Sequence, residues 1–363
     1  MINYLIMNDV PAKKRIFFLD ELRALAIIFI MLVHISATWT QNLPLNENYV
    51  IALLFQIIGR SGVPLFLMIT GTLLINKNYE ISEFMKKRFT RVFAPLIFWS
   101  VIYFFIYFIR GNYHLIPTLY SGFTAAWYVW MLLGVYLFMP IINEFVKNKG
   151  IGGVEYFLGL FFIASFVYSL GIYNFNIFGP DLGYFLTPIS YTILGYYLTN
   201  KEFKISNNKL VILGLLIFVS MCLSVAYLNV GGNYHFEGSY LSVFFIRGIV
   251  ELNIFTILQA SSIFLIIKYI NSPETIGIFH KLSLLFKKRY PKKITSNISK
   301  YSYGMYLSHL PIIWFLFTNY GFFIKHSPLK WIPVLTIIVA IISFFIVWIL
   351  NKIPYLKEVS GAH

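Results

Sequence analysis

The chain has 363 residues, of which 58% are hydrophobic, 19% aromatic and only 12% charged. Soluble domains carry roughly 25% charged residues, so this composition, with a mean hydropathy of +0.73, excludes an ordinary soluble protein. The formal net charge of +15 would suggest a nucleic-acid partner in a soluble chain. Here we attribute it to basic cytoplasmic loops and expect no nucleic-acid partner. A single cysteine builds no cysteine cluster, and we expect no metal.

Ten apolar segments are long enough to cross a bilayer, which takes about 20 residues each. These predicted spans are 17–39, 50–75, 89–109, 126–143, 155–170, 182–198, 209–228, 241–269, 300–318 and 331–350. The sequence therefore predicts an all-α integral membrane protein with about ten transmembrane helices. The predicted parts are a cytoplasmic tail at 1–16, a transmembrane domain at 17–350 and a cytoplasmic tail at 351–363.

The basic residues predict the orientation of these spans. With the N-terminus in the cytoplasm, 23 Lys and Arg residues fall in the inner segments and 3 in the outer loops. Because basic residues concentrate in cytoplasmic loops, both termini are predicted to be cytoplasmic, which requires an even number of spans. The basic inner loop 270–299 is predicted to lie on anionic membrane lipid.

The first predicted span carries Asp20 and Arg23 near its start and His34 deep inside. A helix advances about 1.5 Å and turns 100° per residue, so His34 lies about 16 Å deeper than Arg23 and about 20° off the same face. Ionisable residues within a membrane are functional candidates by default. The alternative is a snorkelling arginine with a histidine hydrogen-bonded to a neighbouring helix. The shared face favours a ligand held at the surface by its charge, with its reactive end inside.

The second predicted span contains Arg60 among Gly59, Gly62 and Pro64. These residues predict a helix that opens at this point and exposes backbone groups. Arg60 is interpreted either as a substrate-binding residue or as a satisfied arginine at a structural kink.

The third predicted span begins with the segment KKRFTR, in which Arg88 and Arg91 are three residues apart and share a helix face. Arginine binds phosphate bidentately, and the start of a helix adds positive dipole. The pair is interpreted either as a phosphate site or as ordinary positive-inside residues.

Three later spans carry further candidates. Trp127 and Tyr128 start the fourth span, where an interfacial aromatic belt and a sugar-stacking wall are both possible. Glu251 follows Arg247 by four residues in the eighth span, as a mutually neutralising pair or as a proton acceptor. His309 lies about ten residues into the ninth span, about 15 Å deep and therefore at a depth comparable to His34. From the residues alone, the chain fits membrane-embedded group transfer from a phosphorylated carrier, and it also fits a transporter.

At these residues the chain resembles the acyltransferase-3 family of integral membrane acyltransferases over nearly its whole length. The similar segments are LDELRALAIIFIMLVH in the first span, GRSGVPLFLMITG in the second, the Arg88 and Arg91 pair in the third, AWYVWMLLGVYLFMPII in the fourth and YSYGMYLSHLPII in the ninth. The subgroup that the chain most resembles modifies surface polysaccharide such as O-antigen.

The resemblance implies a cytoplasmic acyl-CoA donor, usually acetyl-CoA, and a sugar hydroxyl of a lipid-linked glycan as acceptor, in a multi-pass protein of the inner membrane. Arg23, Arg88 and Arg91 would hold the phosphates of coenzyme A. His34 would be catalytic, as general base or as carrier of an acyl-imidazole. Asp20 could orient Arg23, and His309 could line the acceptor side. The alternative function is a lipid-linked glycan flippase or transporter.

Overall fold

The protein is described by a computed structural model over residues 16–109, 127–169, 180–235, 254–289 and 292–362, and these residues form helices without strands. In chain order the helices are α1 (Phe17–Asn42), α2 (Glu47–Gly59), α3 (Gly62–Leu74), α4 (Ile81–Ile109), α5 (Trp127–Ser169), α6 (Pro180–Asn200), α7 (Asn207–His235), α8 (Ile254–Ile270), α9 (Gly277–Arg289), α10 (Lys292–Tyr320) and α11 (Pro328–Lys352). Short 3₁₀ segments follow at Gly321–Lys325 and Pro354–Leu356. The predicted all-α class is confirmed over the described residues.

Within the described residues, five helical segments are long and apolar enough to cross a membrane. They are Glu47–Leu74, Ile81–Ile106, Trp127–Phe166, Asn207–Val230 and Pro328–Lys352. Several such segments in one chain make a multi-pass membrane protein. The total of ten spans and the cytoplasmic position of both termini stay predictions.

The helix interruption expected around Arg60 is present, because α2 ends at Gly59 and α3 begins at Gly62. The backbone is not left open, however: the Arg60 amide donates to the Gln56 carbonyl, and the Leu65 amide donates to the Ser61 carbonyl. A Cβ added at Gly59 or Gly62 would come within 3 Å of the α1 backbone. The glycines therefore let the interrupted helix lie directly against α1.

The predicted loop between the fourth and fifth spans is helical almost throughout. The chain remains helical on both sides of Gly150, where φ is 59° and ψ is −159°. This residue breaks α5 sharply, in a backbone conformation that glycine adopts easily. Similarly, α10 begins at Lys292, eight residues before the predicted start of the ninth span. A helix can continue in polar residues beyond the hydrocarbon layer. Hydropathy detects only the apolar part of such a helix, so it misplaces the ends of α5 and α10.

Helix α1 is the centre of the bundle and packs against α2, α3, α10 and α11. Its fully buried residues recur at helical spacing, as Leu22, Ala26, Ile27, Met31 and Ile35. Such spacing buries a continuous side of the helix. The charged residues of α1 therefore belong to a helix that is packed against these four helices.

Helices α1, α4 and α10 run in the same direction. Arg23 contacts Ser299 and His34 contacts His309, so α1 and α10 advance together. Successive spans cross a membrane in alternating directions, so the predicted spans one, three and nine have to be parallel.

The same order relates α4 to α10. The Tyr303 hydroxyl donates to the Val92 carbonyl at 2.9 Å, and the Tyr103 hydroxyl donates to the Leu307 carbonyl at 3.1 Å. The starts of α1, α4 and α10 consequently lie at one end of the bundle.

Candidate active site

A cavity of about 400 Å³ opens between α1, α3, α4, α5 and α10. Four of its lining residues are cations, namely Arg23, Arg88, Arg91 and Lys300. Four others are tyrosines, namely Tyr128, Tyr136, Tyr303 and Tyr306. Among the residues that the structure describes, no Asp or Glu lines it. We call this space the cationic cavity; its charge suits an anionic ligand such as a phosphate.

Ser299 joins one of these cations, Arg23, to the buried carboxylate of Asp20. Its hydroxyl donates to Asp20 Oδ1 at 2.6 Å and accepts from Arg23 Nη1 at 3.2 Å. Asp20 is 4% exposed and Ser299 is 2% exposed. Asp20 thus holds Arg23 through the serine, as the sequence hypothesis of an orienting role requires. The same carboxylate precedes His34 by fourteen residues, about 21 Å along α1, so Asp20 does not stand with the histidines.

Arg88 is held by aromatic rings. Its guanidinium carbon lies 5.6 Å from the ring centroid of Phe84 and 5.8 Å from that of Tyr136. Arg88 also hydrogen-bonds the Tyr136 side chain, and its remaining N–H donors stay available, since a guanidinium carries five. Arg88 is half-buried, whereas Arg91, one turn further along α4, is more exposed to solvent. The two predicted phosphate ligands therefore have different solvent environments.

His34 and His309 meet in the interior, with ring centroids 5.2 Å apart and ring planes at 46°. His309 is 1% exposed. Its Nδ1 contacts the carbonyl of Tyr306; because a carbonyl only accepts, Nδ1 carries the proton and Nε2 carries the lone pair. Over the described residues, this buried Nε2 has no hydrogen-bond partner. The two predicted histidines therefore lie side by side, with one unprotonated ring nitrogen available.

Tyr306 connects the histidines to the cationic cavity. It lines the cavity, and its ring centroid lies 5.6 Å from that of His309. On the other side its ring meets Tyr128 at 5.3 Å. The four cations and the histidine pair thus belong to one continuous region of the protein.

The remaining candidates have different surroundings. Arg60 lies within electrostatic range of the His34 side chain. Tyr128 is 5% exposed and lines the cationic cavity, whereas Trp127 is 40% exposed and lines a separate apolar groove with Trp130. The two aromatic residues, which were predicted to form one wall, therefore lie on different surfaces. Glu251 lies outside the described residues.

Sequence reasoning missed the α10 side of the cavity. Ser299, Ser302, Tyr303 and Tyr306 all line it. With His309 they recur at spacings of three and four residues, the same helical period that marked Arg23 and His34. That period was the available signal. It was hidden because the segment SKYSYGMYLSH is rich in Ser and Tyr on every face.

A family model described as an acyltransferase domain, of the acyltransferase-3 type, matches residues 16–351. No curated protein and no solved structure matches the chain. Because the family match extends over nearly the whole chain, the protein belongs to the acyltransferase-3 family and is a membrane acyltransferase. The membrane-spanning helices and the enclosed site described above agree with that class.

Proposed function

We propose that the protein transfers an acyl group, in the simplest case acetyl, from acyl-CoA to a hydroxyl of a lipid-linked or surface glycan such as O-antigen. One observation carries the proposal: Tyr306 lines the cationic cavity and contacts the buried His309, whose ring meets that of the half-buried His34. An acyl-CoA has its phosphates at one end and its thioester at the other. The site has cations at one end and a base at the other.

The donor end of the site suits phosphates. Arg23, Arg88 and Arg91 offer planar forks that bind phosphate oxygens bidentately, and Lys300 adds a fourth charge. All four lie six to ten residues after the starts of the parallel helices α1, α4 and α10, so their charges gather toward one end of the bundle. The spacing of Arg23 and His34, about 16 Å along α1, leaves room for an extended linker between the phosphates and the thioester.

Two chemical routes fit the histidines. In the first, a sugar oxygen attacks the thioester carbonyl carbon, the C–S bond breaks, and the hydroxyl proton passes to His34 and then to the departing thiolate. In the second, an imidazole nitrogen of His34 attacks the carbonyl carbon and releases the thiolate. The sugar oxygen then attacks the acyl carbon, the C–N bond to the imidazole breaks, and the sugar hydroxyl proton passes to the released imidazole nitrogen. His309 Nε2 lies beside His34 in either case and accepts a hydrogen bond from the sugar hydroxyl or from a protonated His34.

The location follows from the substrates. An acyl-CoA donor is cytoplasmic, so we place the cavity mouth at the cytoplasmic surface of the inner membrane. The acceptor is then a membrane-borne glycan that reaches the histidines through the bilayer or from the outer side. Arg60, on the second span near His34, is the residue that we assign to the acceptor. The routes above require no metal ion.

The second candidate function is a flippase or transporter for a lipid-linked glycan. The buried charges of α1 and the interrupted helix at Arg60 are compatible with it. Purified protein in proteoliposomes, supplied with labelled acetyl-CoA and a lipid-linked glycan extract, separates the two functions. We expect acetylated glycan, detected by mass spectrometry, and its absence with the double variant Arg88→Ala and Arg91→Ala. Glycan crossing the bilayer without acetyl transfer would contradict the enzyme.

A further inference from the structure

Tyr128 and Tyr306 close the inner end of the cationic cavity. Their rings meet edge to face, with centroids 5.3 Å apart and planes at 64°. Both side chains line the cavity, and each is 5% exposed. Phe66, also a lining residue, supports the Tyr128 ring from α3 at 6.1 Å. The inner end of the cavity is therefore a cluster of aromatic rings contributed by three helices.

The histidines lie behind this cluster. Neither His34 nor His309 is among the residues that line the cavity. Along α10 the order is Ser299, Tyr306 and His309, with Tyr306 about 10 Å beyond Ser299 and about 4.5 Å before His309. A ligand that enters from the cations consequently reaches the tyrosine pair before it reaches the histidines.

We propose that the Tyr128–Tyr306 pair is a gate for the acyl group and the determinant that restricts the donor to short acyl chains. The proposal rests on the proposed function, because it takes the cationic cavity as the acyl-CoA site. The acyl group has to pass these rings to reach His34, and acetyl is the smallest of the acyl groups compared below. His309, directly behind the rings, is 1% exposed, and protein interiors tolerate added volume poorly. Each further methylene has to displace the rings or their neighbours.

The test is the acyl-chain preference of gate variants. Tyr128→Leu removes one ring from the side of the gate that does not touch His309, and Tyr306→Leu removes the other. Transfer is measured as kcat/KM with acetyl-CoA, butyryl-CoA and hexanoyl-CoA. A pocket discriminates by roughly ten- to two-hundredfold for each methylene. We expect the wild type to prefer acetyl-CoA over butyryl-CoA by about a hundredfold, and each variant to lose about tenfold or more of that preference.

Two control variants bracket the effect. Trp130→Leu also replaces an aromatic ring by leucine. Trp130 lies half a turn along α5 from Tyr128, is 44% exposed and lines the separate apolar groove. It should keep the acyl preference. Tyr128→Phe keeps the ring and removes only the hydroxyl, so it should also keep the preference. A preference lost equally in Trp130→Leu or in Tyr128→Phe would contradict a steric gate.

Binding of free CoA, measured by calorimetry, separates the gate from the proposed function. The cations hold the phosphates, so we expect CoA affinity within about threefold of wild type in a folded gate variant. A Leu variant that binds CoA and keeps the wild-type chain preference overturns the gate and leaves the proposed function standing. A wild type that transfers hexanoyl as readily as acetyl also overturns it. A wild type that binds no CoA overturns the proposed function itself.

Discussion

Arg88 and Arg91 share a helix face but differ in exposure, and their contributions to donor binding should differ accordingly. Arg88 is half-buried over Tyr136, while Arg91 is more exposed to solvent. A hydrogen bond to a charged group contributes roughly 1.5–3 kcal/mol, which is about ten- to a hundredfold in affinity. Water screens an exposed charge and lowers its contribution. We therefore expect Arg88→Ala to weaken acetyl-CoA binding about a hundredfold and Arg91→Ala about tenfold.

Lys87→Ala is the matched control for these two variants. It removes one positive charge from the same turn of α4, but Lys87 is exposed and does not line the cavity. Its donor affinity should stay close to wild type. Equal weakening in all three variants would assign the arginines to general surface charge. Arg88→Lys should recover only part of the loss, because lysine lacks the planar fork.

At the scale of elements, the pairing of α1 with α10 is the feature that the sequence could not supply. Spacing along α1 predicted that Arg23 and His34 share a face, since helical period is a property of one segment. Its position in the ninth predicted span likewise predicted that His309 lies at a depth comparable to that of His34. The contact of His34 with His309, and the link from Asp20 through Ser299 to Arg23, join residues more than 270 positions apart. Only the packed bundle determines such contacts.

The ends of elements were predicted less well than their existence. Hydropathy located the apolar segments, but α5 stays helical through the predicted loop to Gly150, and α10 starts before its predicted span. The Trp127 and Tyr128 pair shows the same limit at the site. Neighbouring residues on a helix point about 100° apart, so one faces the cavity and the other a groove.

The crossing of α3 and α6 gives an element-scale test. A Cβ added at Gly195 would lie 2.1 Å from the Met68 carbonyl oxygen, and one added at Gly71 would lie 1.8 Å from the Thr192 carbonyl oxygen. Backbone atoms cannot move aside locally, and overpacking costs about 1–3 kcal/mol or more. We expect Gly195→Ala to lower the thermal unfolding temperature of the purified protein clearly.

Gly159 in α5 is the matched control for that crossing. A Cβ added there meets nothing within 4 Å, and alanine is a better helix former than glycine by about 1 kcal/mol. Gly159→Ala should therefore leave the unfolding temperature unchanged or raise it slightly. A Gly195→Ala protein as stable as Gly159→Ala would show that α3 and α6 are not in close contact.

At the scale of the whole molecule, the orientation in the membrane decides which substrates reach the site. Cys222 is the single cysteine; it is buried and accepts a hydrogen bond from Gln259. Cys222→Ser keeps an acceptor there and gives a background without cysteine. On this background we expect Lys357→Cys to react with an impermeant thiol reagent only from the cytoplasmic side.

Lys325→Cys, in the 3₁₀ segment after α10, should react only from the opposite side. Both positions are exposed, so reactivity reports the side of the membrane. The basic residues predict this arrangement, and it puts the cationic cavity at the cytoplasmic surface. Labelling of both cysteines from one side would contradict the predicted topology and the access of acyl-CoA to the arginines.

The central claim is that His34 performs acyl transfer from a donor held in the cationic cavity. One measurement tests it most directly: acetyl transfer and CoA binding determined together for His34→Gln. Glutamine keeps a polar side chain of similar reach but takes no proton at neutral pH. The proposed phosphate contact at Arg23 lies about 16 Å away, so we expect CoA affinity close to wild type and transfer reduced by at least about 10²–10⁴-fold. Substantial transfer by a folded His34→Gln protein would contradict the claim.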